Sequence, residues 1–135
     1  MKKSILLLFT MISLSMMAQT HNVSYFKITQ KECLRRSGYT LVLKQVVSDS
    51  RCPQGLNCIW AGEAQVIVSV YNNKKLVEDV AITFSPKMVL ENNKWFARYS
   101  KDKYKDIQNV ALVPYPQKDV VLKPKDYYLK IGYHK

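Results

Sequence analysis

The fold class of this chain is decided by the stretch AQVIVSVY at residues 64–71. Every second residue from its first position onward is apolar, and Gln65 and Ser69 lie between them, which is the period-two pattern of a half-buried strand. Asn72 and Asn73 follow directly, and asparagine tolerates the positive φ angles of tight hairpin turns. Apolar alternation then resumes at residues 76–84. The segment as a whole predicts a β-hairpin.

Further strands are predicted on both sides of this hairpin. They lie at residues 23–29, 39–47 and 107–113, and near the C-terminus at residues 127–134, where an aromatic and aliphatic face is expected to point inward. Alternation breaks at residues 46–47 and 120–122, and the spacing within residues 88–99 leaves a helix open. We expect an all-β fold, a single antiparallel β-sandwich or open barrel of about six to seven short strands.

The first 18 residues have the layout of a cleavable secretory signal peptide. Two lysines precede an apolar run at residues 5–14, which is shorter than the ~20 residues needed to span a bilayer. No cysteine directly follows the run to carry a lipid, since the first one is Cys33. We expect cleavage after Ala18, which leaves residues 19–135 as a single β-rich domain. The product is then exported, periplasmic or secreted, soluble and not lipid-anchored.

Charge is the main indication of partners. Removal of the two signal-peptide lysines lowers the formal net charge from +11 to +9. The remaining lysines form no run of five or six like charges, so they predict a basic, solvated surface rather than a specific nucleic-acid site. For an exported protein, such a surface favours an anionic envelope glycan, a lipid surface or another protein as partner.

Two cysteines bracket the most distinctive segment. Cys52 and Cys58 enclose a short turn that contains proline, glycine and asparagine. In an oxidising compartment this arrangement predicts a disulfide that stabilises the turn by about 2–3 kcal/mol in the chain-entropy model. The alternative is a metal site, but structural zinc takes four ligands and the two histidines, His21 and His134, lie near the chain ends. We expect the disulfide, no metal and no cofactor.

Five residues around this predicted disulfide are candidates for a structural or binding role: Asp49, Arg51, Trp60, Gly62 and Glu63. Asp49 is suited to fix the turn, Arg51 to pair with Glu63 or lie on Trp60, and Gly62 indicates a bulge or close backbone approach. They line a binding surface or form a polar plug at one end of the sandwich. Local turn chemistry favours the plug. Trp60 is then expected in the core, where truncation to alanine would lower stability by about 3–5 kcal/mol.

The pattern DSRCP-x4-C-x-W-x-GE at residues 49–63 resembles a family of small uncharacterised exported and lipoprotein domains of bacteria. The similarity extends to residues 112–116, which include a PYP sequence, and to Asp126 and Tyr127. The resemblance implies a β-rich fold and export, and no established activity. Two features depart from the family pattern, the missing lipid-attachment cysteine and the presence of Cys33.

Enzyme classes find little support in the sequence. Nucleophilic hydrolases need a serine or cysteine beside a base, and no G-x-S-x-G, H-E-x-x-H or glycine-rich phosphate loop occurs. We expect no enzyme, but a non-catalytic exported binding or structural module of the cell envelope, whose tyrosines offer apolar contact with a polar tip. The alternatives are a protease-inhibitor-like protein that uses the rigid Cys52–Cys58 loop, or an enzyme.

Cys33 is the thiol left over when Cys52 and Cys58 pair. Lys31, Arg35 and Arg36 lie close to it in sequence, and cations favour the reactive thiolate. We expect Cys33 to be at least partly accessible and to form a disulfide-linked dimer under oxidising conditions.

Overall fold

The computed structural model describes residues 22–31 and 33–134 of the chain. The predicted signal peptide and its predicted cleavage point lie outside the described residues. The described residues form six strands, one α-helix and two short 3₁₀ helices. In chain order the elements are β1 (Val23–Ile28), β2 (Tyr39–Asp49), β3 (Ala64–Asn72), β4 (Lys75–Phe84), α1 (Val89–Tyr99), a 3₁₀ turn (Asp102–Tyr104), β5 (Ile107–Val113), a 3₁₀ turn (Pro124–Asp126) and β6 (Tyr128–His134).

The strands form two antiparallel sheets of three strands each, ordered β1–β6–β5 and β2–β3–β4. Both sheets contribute to one hydrophobic core, in which Leu43 and Val66 of one sheet share a cluster with Leu129 and Ile131 of the other. All four side chains are completely buried. The predicted all-β sandwich is therefore confirmed, with six strands.

The β3–β4 hairpin follows the predicted alternation closely. Val66 pairs with Ile82 on the buried face, and the apolar positions of β3 are fully inaccessible to solvent. The turn has positive φ angles at Asn73 and Lys74, of 49° and 67°. The turn is thus centred one residue later than residues 72–73, while the predicted hairpin itself is confirmed.

Strand β2 explains one of the two breaks in the sequence pattern. Its register with β3 shifts between Leu43 and Gln45 and again between Val46 and Ser48. Each irregularity inserts an extra residue and reverses which face the following side chains occupy, so residues 46–47 cannot alternate simply. The second break, at residues 120–122, lies in the loop between β5 and β6 and belongs to no strand.

The two sheets meet directly along one flank. The backbone N–H of Leu43 in β2 donates to the carbonyl oxygen of Thr29, the residue after β1, at 3.1 Å. Because β1 and β2 are edge strands of different sheets, this hydrogen bond joins the two edges and satisfies backbone groups that would otherwise be unpaired.

Helix α1 packs mainly against β5 and also contacts β4 and β2. Asn92 donates through Nδ2 to the carbonyl oxygen of Thr83 at 2.9 Å, and Asn93 donates to that of Gln108 at 3.0 Å. Phe96 enters the core from the same helix and is 1% exposed. The helix that the sequence left open is therefore present, and it closes the sandwich where the two sheets do not meet.

We expect Phe96→Ala to lower the free energy of unfolding by about 3–5 kcal/mol, because it leaves a large cavity between the sheets. Leu90→Ala is the matched control, since Leu90 lies on the same helix and is largely exposed; we expect a change below about 1 kcal/mol. Urea midpoints of the two variants test this. Equal shifts would mean that Phe96 contributes no more than a surface residue.

Candidate functional site

A buried ion pair lies where β2 ends. Arg51 donates through Nη2 to Oδ2 of Asp49 at 2.7 Å and through Nε to Oδ1 at 2.8 Å, while its backbone N–H donates to Oδ1 at 3.2 Å. The side chains of Arg51 and Asp49 are only 8% and 7% exposed. This two-point geometry fixes both side chains and is the arrangement in which arginine binds a carboxylate most strongly.

The same guanidinium group also binds backbone carbonyl groups at the C-terminal end of β5 and directly after it. It donates to the carbonyl oxygens of Leu112, at 2.7 Å, and Pro114, at 3.0 Å, and it lies over the ring of Tyr115. The Tyr127 hydroxyl donates to Oδ2 of Asp49 at 3.1 Å. We call Asp49, Arg51, Tyr127 and these two carbonyl groups the Arg51 network. Since its polar groups bond one another and are buried, it joins strand ends rather than presenting charge to a ligand.

The network also sets the ionisation of its members. Burial by itself raises the pKa of Asp49, but the hydrogen bonds and positive charge of Arg51, with the Tyr127 hydroxyl, outweigh it and hold that pKa below its ordinary value of 3.8. Burial, and then the hydrogen bond to Asp49, raises the pKa of Tyr127 above its ordinary value of 10.0. Asp49 is therefore ionised and Tyr127 is neutral at neutral pH.

The other predicted site residues occupy different surroundings. The expectation that Arg51 pairs with Glu63 or lies on Trp60 is wrong, because its partners are Asp49 and Tyr115. The Glu63 carbonyl oxygen instead accepts from the Ser50 backbone N–H at 2.8 Å. Gly62 has a φ of +72°, and a Cβ atom there would lie 1.9 Å from the Ser50 carbonyl oxygen, so the close backbone approach is present.

Trp60 does not enter the core. Its side chain is 65% exposed and Ile59 beside it is fully exposed. Truncation of Trp60 to alanine would therefore leave no buried cavity, which was the reason for expecting a loss of about 3–5 kcal/mol. The Cys52–Cys58 disulfide is present, as predicted, and closes the loop that precedes these residues. The sequence suggested a buried tryptophan because a large aromatic beside a disulfide is typical of a core, but here the chain turns outward.

A second candidate site is a cleft of about 280 Å³ between β1, β2 and the C-terminal end of α1. Four cationic residues are among those that line it: Lys27, Lys31, Arg35 and Lys101. Four aromatic residues line it too: Phe26, Tyr39, Tyr99 and Tyr104. No carboxylate is among its lining residues in the described part of the chain. We call this site the basic cleft.

The cations of the basic cleft form no ion pair with another described residue. The ion pairs within residues 22–31 and 33–134 join Lys44 to Asp79, Arg51 to Asp49 and Lys105 to Asp102, and none includes a cleft residue. The ammonium group of Lys27 lies 4.6 Å from the centre of the ring of Tyr128, which does not line the cleft, so Lys27 adds positive charge beside the site rather than within it. Like charges held together in a concave site raise the local concentration of anions.

Sequence reasoning missed this cleft as a site. Its cations come from β1, from the segment after it and from the end of α1, so no local motif marks them. The one available signal was the set of cations around Cys33, which we considered only for their effect on the thiol. Cys33 is exposed, as predicted, and lines the same cleft; its dimerisation stays a prediction.

Two classes of site are not supported by the described residues. Across residues 22–31 and 33–134, no group of three or more histidine, cysteine, aspartate or glutamate side chains is placed to hold a metal ion. The helices in that part of the chain also include none long and apolar enough to cross a membrane. Comparison with protein-family models, with curated proteins and with solved structures finds no match to this chain.

We expect Arg51→Met to lower the free energy of unfolding by about 3–5 kcal/mol, because it leaves the Asp49 carboxylate buried without its cation. Arg36→Met, at an exposed position, is the control and should change stability by less than about 1 kcal/mol. The double variant Asp49→Asn/Arg51→Met should lose less stability than the sum of the losses in the two single variants, because it leaves no unpaired buried charge. Additive losses in urea unfolding would contradict a coupled pair.

The pH dependence of stability gives a separate test of Asp49. Since its folded pKa lies below the unfolded one, its contribution is fully present above about pH 5 and is lost as the pH falls through about 3.8 and then through the folded pKa. We expect Asp49→Asn to reduce stability at pH 7 and to show a shallower decline between about pH 5 and 2 than wild type. Asp119→Asn, at an exposed carboxylate, should retain the wild-type profile. Parallel profiles for Asp49→Asn and wild type would contradict the assignment.

Proposed function

We propose that this protein is a non-catalytic exported binding module of the bacterial cell envelope, and that its basic cleft binds an acidic glycan. The observation that carries the proposal is that four cationic residues line one concave site, and none of them forms an ion pair with another described residue. All four are exposed, and positive charges grouped around a concave surface create a potential that is complementary to an anion.

The aromatic lining supports a sugar rather than a small inorganic anion. Tyr39 and Tyr99 meet edge to face at 5.1 Å between ring centres, and Phe26 lies 5.4 Å from Tyr104. Tyrosine combines an apolar face, which packs against the C–H surface of a pyranose ring, with a hydroxyl group for hydrogen bonding. A volume of about 280 Å³ is slightly smaller than the roughly 300–1,000 Å³ of typical ligand sites, and suits a short segment of a chain.

The described lining of the basic cleft lacks the side chains that most often act as general acid or base, and this supports a binding role. A general base or acid is most often histidine, aspartate or glutamate, and the described residues that line the basic cleft include none of these. The disulfide supports an oxidising compartment, and the signal-peptide pattern and the family resemblance support export to the envelope. Membership of that exported family is part of the proposal.

We expect the mature protein to bind an oligogalacturonate chain more tightly than the uncharged maltotetraose, with affinity that falls as salt is added. Lys31→Glu/Arg35→Glu should lower affinity for oligogalacturonate by about tenfold or more, because it replaces two attractions of about 1 kcal/mol each with repulsion. Isothermal titration calorimetry measures both.

The control is Lys87→Glu/Lys94→Glu, which makes the same charge change at exposed positions outside the cleft. It should retain affinity within about threefold, the residual loss coming from the lower overall charge. If both double variants lose affinity equally, the basic surface as a whole binds anions and the cleft does not. Equal affinity for a polyphosphate of similar length would overturn recognition of the sugar.

A further inference from the structure

An exposed apolar surface lies at the end of the sandwich where β2 stops. It consists of Leu56, Ile59, Trp60, Val120 and Val121, which we call the apolar tip. Ile59 is fully exposed and Val121 is 89% exposed, so these side chains project from the surface rather than line a groove. Neither the core nor the Arg51 network uses them.

The apolar tip is built from two loops that are held together. The backbone N–H of Gln54 donates to the carbonyl oxygen of Pro116 at 2.9 Å, and that of Lys118 donates to the carbonyl oxygen of Gln54 at 3.2 Å. Each loop turns directly after this contact, through bonds from Leu56 to Pro53 and from Val120 to Gln117. The apolar side chains of both loops are therefore presented together, at the same end of the fold.

Constraints on the loops keep this arrangement rigid. The Cys52–Cys58 disulfide closes the first loop. Arg51 precedes that loop and holds the carbonyl groups of Leu112 and Pro114, which lead into the second. A restrained backbone keeps these side chains exposed. Because the backbone is already ordered, little further conformational entropy is lost on binding, and this favours association.

We infer that the apolar tip docks onto an anionic lipid surface. A projecting cluster of separate side chains requires a partner that is soft or deeply concave, and the headgroup region of a bilayer accepts such side chains without a preformed pocket. Tryptophan is enriched at that boundary because it pairs an apolar body with a polar N–H group. The inference is independent of the glycan proposed for the basic cleft.

The charges around the tip match an anionic surface. Residues 52–62 carry no charged side chain, so insertion of Ile59 and Trp60 desolvates none in their own loop. The second loop, at residues 114–127, carries Lys118, Lys123 and Lys125 against Asp119 and Asp126, a net charge of +1. Apolar insertion and nearby cations together are the two signals that stable peripheral binding requires.

The test is sedimentation of the mature protein with vesicles of phosphatidylcholine, alone or mixed with phosphatidylglycerol. We expect binding to the mixed vesicles, weaker binding to phosphatidylcholine alone, and a loss of about tenfold or more in partitioning for Ile59→Ser/Trp60→Ser. In a Trp95→Phe background Trp60 is the sole tryptophan, and its emission should shift to the blue when vesicles are added.

The control is Leu76→Ser/Val77→Ser, which removes exposed apolar side chains at the far end of the β2–β3–β4 sheet. It should bind mixed vesicles within about twofold of wild type, and urea unfolding should confirm that both double variants are folded. Absence of wild-type binding, an equal loss in the control, or equal binding to both vesicle types would overturn the inference. Inhibition of a serine protease without vesicle binding would also overturn it, and would assign the disulfide loop to the protease-inhibitor alternative.

Discussion

A buried guanidinium group imposes the tightest local constraint on this molecule. Charge removed from water must be balanced by a counter-charge and by hydrogen bonds to its remaining N–H groups. Arg51 meets both requirements only when Asp49, at the end of β2, lies beside the backbone that leaves β5. Tyr127, just before β6, also donates a hydrogen bond to the Asp49 carboxylate. One charged side chain thereby fixes the relative position of strands from both sheets.

The sequence predicts those features that depend on neighbouring residues. The β3–β4 hairpin is recognisable because its pattern is set by side chains two positions apart, and the disulfide because its cysteines share one turn. The partners of Arg51 and the basic cleft depend on contacts between remote segments, so no local pattern specifies them. Trp60 illustrates the same limit, because Gly62 adopts a positive φ and redirects the chain, and the direction of that turn decides whether the tryptophan is buried.

The basic cleft and the apolar tip occupy different parts of the fold. The cleft includes Tyr39 at the start of β2, whereas the tip follows Asp49 at its end, about 30 Å further along the strand. A protein that docks through the tip would hold the cleft away from the bilayer surface. The two proposals are therefore sterically compatible, and each can fail without affecting the other.

The constraints on the two loops act on backbone that lies outside the cluster of buried core residues. The core is complete without them, since it is filled by the strands and by Phe96. Yet the disulfide, the contact between Gln54 and Gln117, and the Arg51 network all act on the backbone of these loops. Exposed apolar side chains favour aggregation, and their retention on a restrained backbone is expected where the surface has a partner. The restraints on these loops therefore contribute to folding through the Arg51 network, and they also hold in place the exposed side chains for which we infer a lipid partner.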